Sequence, residues 1–305
     1  MTRSEFLRLM ARATTALATS QIVPTASAQP QKMHTRPIPS TGEPLPVVGC
    51  GTWRTFDVGD DPAQRAPLRE VLQTLFDAGG SVIDTAPMYA PAEANVGALL
   101  KDMQARSKAF VATKVLSTGR EAGLAQMRRS MELLRTDRID LMQIHNLVDW
   151  GTQLATLRAW KTEGRIRYLG LTHYTPGAHA ELESAMRAER VDFVQIDYSL
   201  NDRAAEQRLL PFAADRGVAV IVNRPFGSGD LFRTLRDKPL PAWAAEIDCQ
   251  TWAQLLLKFV LANPAVTCVI PGTGRPEHMR ENVRAGFGRY PDAAMRAKMI
   301  AVLSS

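Results

Sequence analysis

Four side chains in the first half of the chain have the types needed to put a proton on a carbonyl oxygen: Asp84, Tyr89, Lys114 and His145. A tyrosine hydroxyl is a weak acid when left alone. A neighbouring ammonium favours the phenolate, so Lys114 beside Tyr89 is expected to lower the hydroxyl's pKa. Lys114 closes the apolar run Phe110-Val111-Ala112-Thr113. A lysine buried there needs a counter-charge or costs several kcal/mol. Asp84 is placed to supply that charge. His145 is expected to donate to, or orient, a substrate carbonyl oxygen. Together these make a general acid beside an oxyanion-stabilising pocket, as carbonyl reduction requires. No side chain supplies hydride, so a reduced nicotinamide must be brought in. Each residue also has a plainer use. Asp84 could cap a helix, Lys114 could be a strand-end surface charge, His145 a core histidine and Tyr89 a packed loop aromatic.

These residues are far apart in sequence, so a fold must gather them. From Pro46 onward, short β-branched runs alternate with amphipathic stretches. The expected strands are Val47–Gly51, Ser81–Thr85, Ala109–Lys114, Ile139–His145, Tyr168–Thr172, Phe193–Tyr198, Val218–Asn223 and Thr267–Pro271. The expected helices are Arg65–Ala78, Glu93–Ala105, Glu121–Leu134, Thr152–Glu163, Pro176–Ala188, Arg203–Asp215, Thr251–Leu261 and Pro276–Arg284, with one extra C-terminal helix at Asp292–Leu303. Leu68, Val71, Leu72, Leu75 and Phe76 fall on one helical face. The strands read as near-continuous apolar runs, the pattern of a parallel sheet covered on both faces. Eight strand–helix units of about thirty residues predict an α/β fold, a single-domain (β/α)8 TIM barrel. A doubly wound open sheet is the alternative. It wants a glycine-rich phosphate turn, and Gly49-Cys50-Gly51-Thr52-Trp53 lacks the third glycine.

In such a barrel the site is built at the C-terminal ends of the strands. The second strand ends at Asp84 and runs into the loop holding Tyr89. The third ends at Lys114, the fourth at His145-Asn146 and the fifth at Thr172-His173. The sixth carries Gln195 and Asp197, the seventh ends at Asn223-Arg224, and the eighth opens into Gly272-Thr273-Gly274-Arg275. Every strand after the first therefore delivers a polar group to one mouth.

The chain has 305 residues, 45% apolar and 22% charged, with a formal net charge of +6. Several of the basic residues sit in the first forty positions, so the body is only weakly basic, and no basic block interleaved with aromatics points to nucleic acid. No uncharged apolar run reaches the roughly 18 residues of a membrane span. Cys50, Cys249 and Cys268 suit neither a disulfide framework nor a zinc spacing. Residues 1–40 read as a signal-like leader and linker, and 41–305 as the barrel. Thr2-Arg3-Ser4-Glu5-Phe6-Leu7 resembles a twin-arginine export signal with one arginine replaced, and Ala26-Ser27-Ala28 has the form of a signal-peptidase site. The leader predicts export to the periplasm. The alternative is a cytoplasmic enzyme with an N-terminal extension. The Pro-rich stretch from Gln29 to Pro44 reads as a linker.

The motifs together resemble the aldo/keto reductase superfamily, from about Leu45 to Phe287. Val82-Ile83-Asp84-Thr85-Ala86-Pro87-Met88-Tyr89 is similar to its aspartate–tyrosine motif, Ala112-Thr113-Lys114 to its lysine strand and Asp140-Leu141-Met142-Gln143-Ile144-His145 to its histidine strand. The resemblance implies Asp84, Tyr89, Lys114 and His145 as a catalytic tetrad. It implies that Thr172, His173 and Gln195 contact a nicotinamide carboxamide, although the family usually has Ser-Asn where this chain has Thr172-His173. Asn223-Arg224-Pro225-Phe226-Gly227 falls on the loop where many members place an aromatic against the nicotinamide, so here a neighbour such as Arg224 would have to stack instead. Gly272, Thr273 and Arg275, followed by Glu281 and Asn282, resemble the adenosine-phosphate segment. Arg275 offers a planar fork to a phosphate monoester at a helix start that favours anions. That argues for NADPH over NADH. Trp53 and His145 are expected to meet a small carbonyl substrate, and the chain is expected to be a monomer or dimer. Two other readings compete: a non-catalytic nucleotide-sensing barrel, and a metal-dependent hydrolase using Asp84, His145 and His173.

Overall fold

The computed structural model describes residues 32–303. The expected leader, with its export and cleavage motifs, lies outside the described residues. Eight parallel strands form the barrel: β3 (Cys50–Gly51), β4 (Val82–Asp84), β5 (Phe110–Val115), β6 (Ile139–His145), β7 (Ile166–Thr172), β8 (Phe193–Asp197), β9 (Ala219–Asn223) and β10 (Val266–Val269). Each pairs in parallel with its sequence neighbour. Parallel bridges Val48–Val269 and Gly51–Gly272 join the last strand to the first and close the ring.

Helices cover the outside: α1 (Pro62–Asp77), α2 (Ala92–Asp102), α3 (Arg120–Leu134), α4 (Trp150–Thr162), α5 (His179–Ala188), α6 (Leu209–Asp215), α7 (Asp230–Thr234), α8 (Trp252–Leu261), α9 (Pro276–Arg284) and α10 (Ala293–Ala301). α1 starts where Asp61 accepts a hydrogen bond from the Ala63 amide at 2.9 Å and Pro62 takes the first position, where its missing N–H is no loss. It buries Leu68, Val71, Leu72 and Leu75 against the sheet. The helix expected over 203–215 is broken. Pro211 has no N–H for the Gln207 carbonyl, so a short 3₁₀ turn (Ala204–Glu206) comes first and α6 restarts at Leu209. Between β9 and α8 the chain forms α7 and a 3₁₀ turn at Ala242–Ile247.

The linker expected from Gln29 to Pro44 is corrected over its described part, from Lys32 onward. β1 (Thr35–Pro37) and β2 (Pro44–Pro46) pair antiparallel into a hairpin whose Ile38 and Leu45 are fully buried. They join Phe110, Leu141, Tyr168 and Phe193 in a cluster inside the barrel. Glu43 reaches the Arg167 guanidinium and the Tyr168 hydroxyl. Arg36 donates to the Asn263 carbonyl at 2.8 Å and to the Val266 carbonyl. Proline and polar residues hid the segment from a hydropathy reading, because only Met33, Ile38 and Leu45 carry the apolar contact.

Strand parity positions the rest. Successive side chains alternate across a strand. In β5 the inward residues are Phe110, Ala112 and Lys114; in β6 they include Leu141, Gln143 and His145. The same register runs through Tyr168 to Thr172, Phe193 to Gln195 and Ala219 to Asn223. The alternate set, with Val111, Met142, Leu169, Val194 and Val220, packs with the helices. The barrel interior is therefore apolar at its N-terminal floor and polar at its C-terminal mouth.

Candidate active site

The polar layer ends in a cavity of about 550 Å³ at the C-terminal mouth. Asp84, Tyr89 and His145 line it, and Lys114 lies just beneath, 1% exposed. Lys114 Nζ donates to Asp84 Oδ2 at 2.7 Å and to the Thr85 carbonyl at 2.7 Å. An ammonium has three hydrogens, and the third faces Tyr89, whose ring centre is 5.0 Å from Nζ. Asp84 Oδ1 takes two amides, Gln195 Nε2 at 2.7 Å and Gln143 Nε2 at 3.2 Å. Gln143 belongs to this network although sequence reasoning assigned it no role. Its inward parity between Leu141 and His145 was the available signal.

The electrostatics differ from the sequence expectation in one respect. Burial raises the Tyr89 pKa and outweighs the lowering by the Lys114 ammonium, so the net direction is up, not down. Tyr89 is thus held in its acid form. Burial opposes the Lys114 charge, but the Asp84 carboxylate and the Tyr89 hydroxyl overcome it, and the lysine pKa rises. Burial, then the Lys114 charge, pushes the His145 pKa down to about 3, so its imidazole is neutral. The Tyr89 and His145 rings meet edge to face, with centres 6.0 Å apart.

The second group of expected residues divides. Thr172, Gln195, Asn223, Arg224, Pro225, Phe226 and Gly272 line the cavity, as does Trp53. Thr172 donates to Gln195 Oε1 at 3.2 Å, and Asn223 Nδ2 approaches the same oxygen at 3.4 Å. His173, Gly227, Thr273, Arg275, Glu281 and Asn282 do not line it. The His173 ring lies against Tyr174, centres 5.3 Å apart, and its carbonyl faces Asn223. Gly227, at φ +57°, packs where a Cβ would stand 2.6 Å from Asn201. Thr273 is buried and accepts from the Arg275 amide at 3.0 Å. Arg275 is exposed at the start of α9, where no side chain caps the first amides. Glu281 and Asn282 lie further along that helix, Asn282 buried.

The mouth also collects backbone strain. Of ten non-glycine residues with positive φ among the described residues, Arg54, Ala90, Asn146, Leu147, Asp149, Arg224 and Ser228 belong to loops that follow barrel strands there. Such residues gather where a fold over-determines a site. Asn146 and Asn223 line the cavity, and their carboxamide oxygens are buried without a partner among the described residues. They fit a ligand bearing amide N–H groups. A metal fits poorly, because both Asp84 oxygens are already taken by Lys114, Gln143 and Gln195.

Similarity to known proteins agrees with this geometry. An uncharacterized oxidoreductase of Schizosaccharomyces pombe is 30% identical over 253 residues, covering 78% of each chain. A methylglyoxal reductase of Escherichia coli is 28% identical over 245 residues, 78% of this chain and 84% of its own. An NADH-specific methylglyoxal reductase of the same organism is 26% identical over 308 residues, 82% of this chain and 92% of its own. Among solved structures, an aldo/keto reductase from Klebsiella pneumoniae in complex with NADP and acetate superposes with a TM-score of 0.74 at 25% identity. It covers 86% of this chain and 93% of its own. The sequence profile of the aldo/keto reductase family matches residues 47–298, from the strand that opens the ring to the last helix. With a closed eight-stranded barrel and the aspartate, tyrosine, lysine and histidine converging at its mouth, the chain belongs to the aldo/keto reductase family.

Proposed function

We propose that the chain reduces the carbonyl of a small aldehyde or ketone to an alcohol, using NADPH, with Tyr89 as the proton donor. The observation that carries this reading is the Lys114 ammonium, fixed at 2.7 Å by both Asp84 and the Thr85 carbonyl beneath the Tyr89 ring. When bound, a reduced nicotinamide supplies hydride to the carbonyl carbon. Tyr89 gives its proton to the carbonyl oxygen. Lys114 steadies the phenolate that remains, and Asp84 keeps Lys114 charged and in place. His145, neutral, orients the carbonyl oxygen by a hydrogen bond.

Thr172, Gln195 and Asn223, with the unpartnered Asn146 and Asn223 oxygens, suit a carboxamide at the inner end of the cavity. Arg275 and the uncapped start of α9 suit a phosphate beyond Gly272. The Klebsiella relative with NADP, and another solved in complex with NADPH at TM-score 0.75 and 25% identity, support NADPH. The NADH-specific Escherichia coli relative marks the competing choice. Export to the periplasm stays part of the proposal on the leader motifs alone. A fluorescence titration of the full chain with NADPH and NADH tests the reading. Saturable binding that prefers NADPH supports it, and binding of neither overturns it.

A further inference from the structure

We propose that the substrate carries a carboxylate beyond its reacting carbonyl, and that Arg224 receives it. This rests on the reductase reading and narrows it. Arg224 lines the cavity at the step where β9 ends, in a left-handed conformation with φ +48°. That conformation is uncommon for a residue with a side chain. Its guanidinium stands 4.2 Å from the centre of the Tyr174 ring and 5.9 Å from that of Trp53. These rings come from the loops after β7 and β3, so the side chain reaches across the mouth and is held there through its faces. Face contacts leave the N–H edge unused. No described carboxylate or carbonyl accepts from it.

A guanidinium has five N–H donors and cannot release its charge. Half-buried and without a described protein acceptor, its N–H groups are left to water or to a ligand. Among the described residues, the rest of the cavity supplies no free carboxylate. Its one lining carboxylate is Asp84, which is committed to Lys114. His145 is uncharged. Arg54 adds a second positive charge 5.2 Å from the Trp53 ring, but it is solvent-exposed. Met88, Phe226 and Phe232 give the lining an apolar part. The cavity therefore offers a proton donor, apolar wall and a cation without a carboxylate partner among the described residues. A lone planar fork matches a carboxylate bidentately.

The test compares the three formylbenzoates with their own methyl esters as substrates of the full chain with NADPH. Acid and ester share the aldehyde and the ring and differ in charge. The expected result is kcat/KM about 10- to 100-fold higher for at least one acid than for its ester, the range of a charged hydrogen bond. Arg224→Met is expected to erase that ratio. Because both substrates need the same cofactor, a change in NADPH binding cancels from the ratio, and the NADPH dissociation constant is read in parallel. Equal kcat/KM for every acid and ester overturns the inference and leaves the reductase reading intact. So does a preference that survives in Arg224→Met. A variant that weakens NADPH binding and lowers both substrates equally assigns the guanidinium to the cofactor and also overturns it. No turnover of any aldehyde overturns the reductase reading itself.

Discussion

Lys114 Nζ lies 2.7 Å from Asp84 Oδ2, with side chains only 1% and 4% exposed. Breaking such a pair strands a charge, which costs about 3–5 kcal/mol. Lys114→Met should therefore lower unfolding free energy by about that much and abolish turnover. The raised lysine pKa gives the pair a pH signature. Its stabilisation is complete below the unfolded lysine value and is lost as pH rises through the folded one. Denaturant titrations of wild type and variant should differ fully at neutral pH and converge only in strong alkali.

Tyr89→Phe removes the proton donor while keeping the ring. Carbonyl reduction should fall by about 10²- to 10⁴-fold, while NADPH still binds. Steady-state kinetics and a fluorescence titration check the two halves. Reduction at the wild-type rate would show that another group donates the proton.

The pH profile should be flat across neutrality. His145 titrates near 3, so it contributes no inflection between about pH 5 and 8. Tyr89 must be protonated to act, and burial lifts its pKa above the ordinary value. Activity should thus hold through the range below about 10 and fall only above it. A step near pH 6.5 in kcat/KM that vanishes in His145→Gln would contradict the neutral imidazole.

Ile38 is fully buried between the hairpin and the barrel interior. Ile38→Ala should cost about 2–5 kcal/mol. A chain begun at residue 47 should lose more, since Glu43 and Arg36 leave with it. Chemical denaturation of the two variants, read by circular dichroism, checks both. Wild-type stability in the shortened chain would mean the hairpin is ornamental.

Much of the site was legible because a strand's period is two and a barrel's mouth has one polarity. Lys114, His145, Thr172, Gln195 and Asn223 sit at strand ends, and the register alone brings them together. The direction of the Tyr89 shift was not legible. It depends on how deeply the ring is buried, which no spacing encodes. The same holds for Arg224, whose role depends on rings from two other loops. Gln143 was overlooked because a glutamine inside an apolar strand carries no chemical signature until its partner is known. The hairpin was misjudged because its hold lies in hydrogen bonds to distant carbonyls rather than in a run of apolar residues.

Those distant carbonyls set an order of events. The hairpin is the earliest described structure to leave the ribosome, yet its anchors are late: Arg167, Asn263, Val266, and Gly288, whose carbonyl meets His34 across 254 positions. Chain closure over such spans comes after local structure. The floor of the barrel must stay open until nearly the whole chain has been synthesised. During that interval Ile38 and Leu45 are without their partners, and the half-made barrel exposes Phe110, Tyr168 and Phe193 to whatever chaperone or neighbour meets it first.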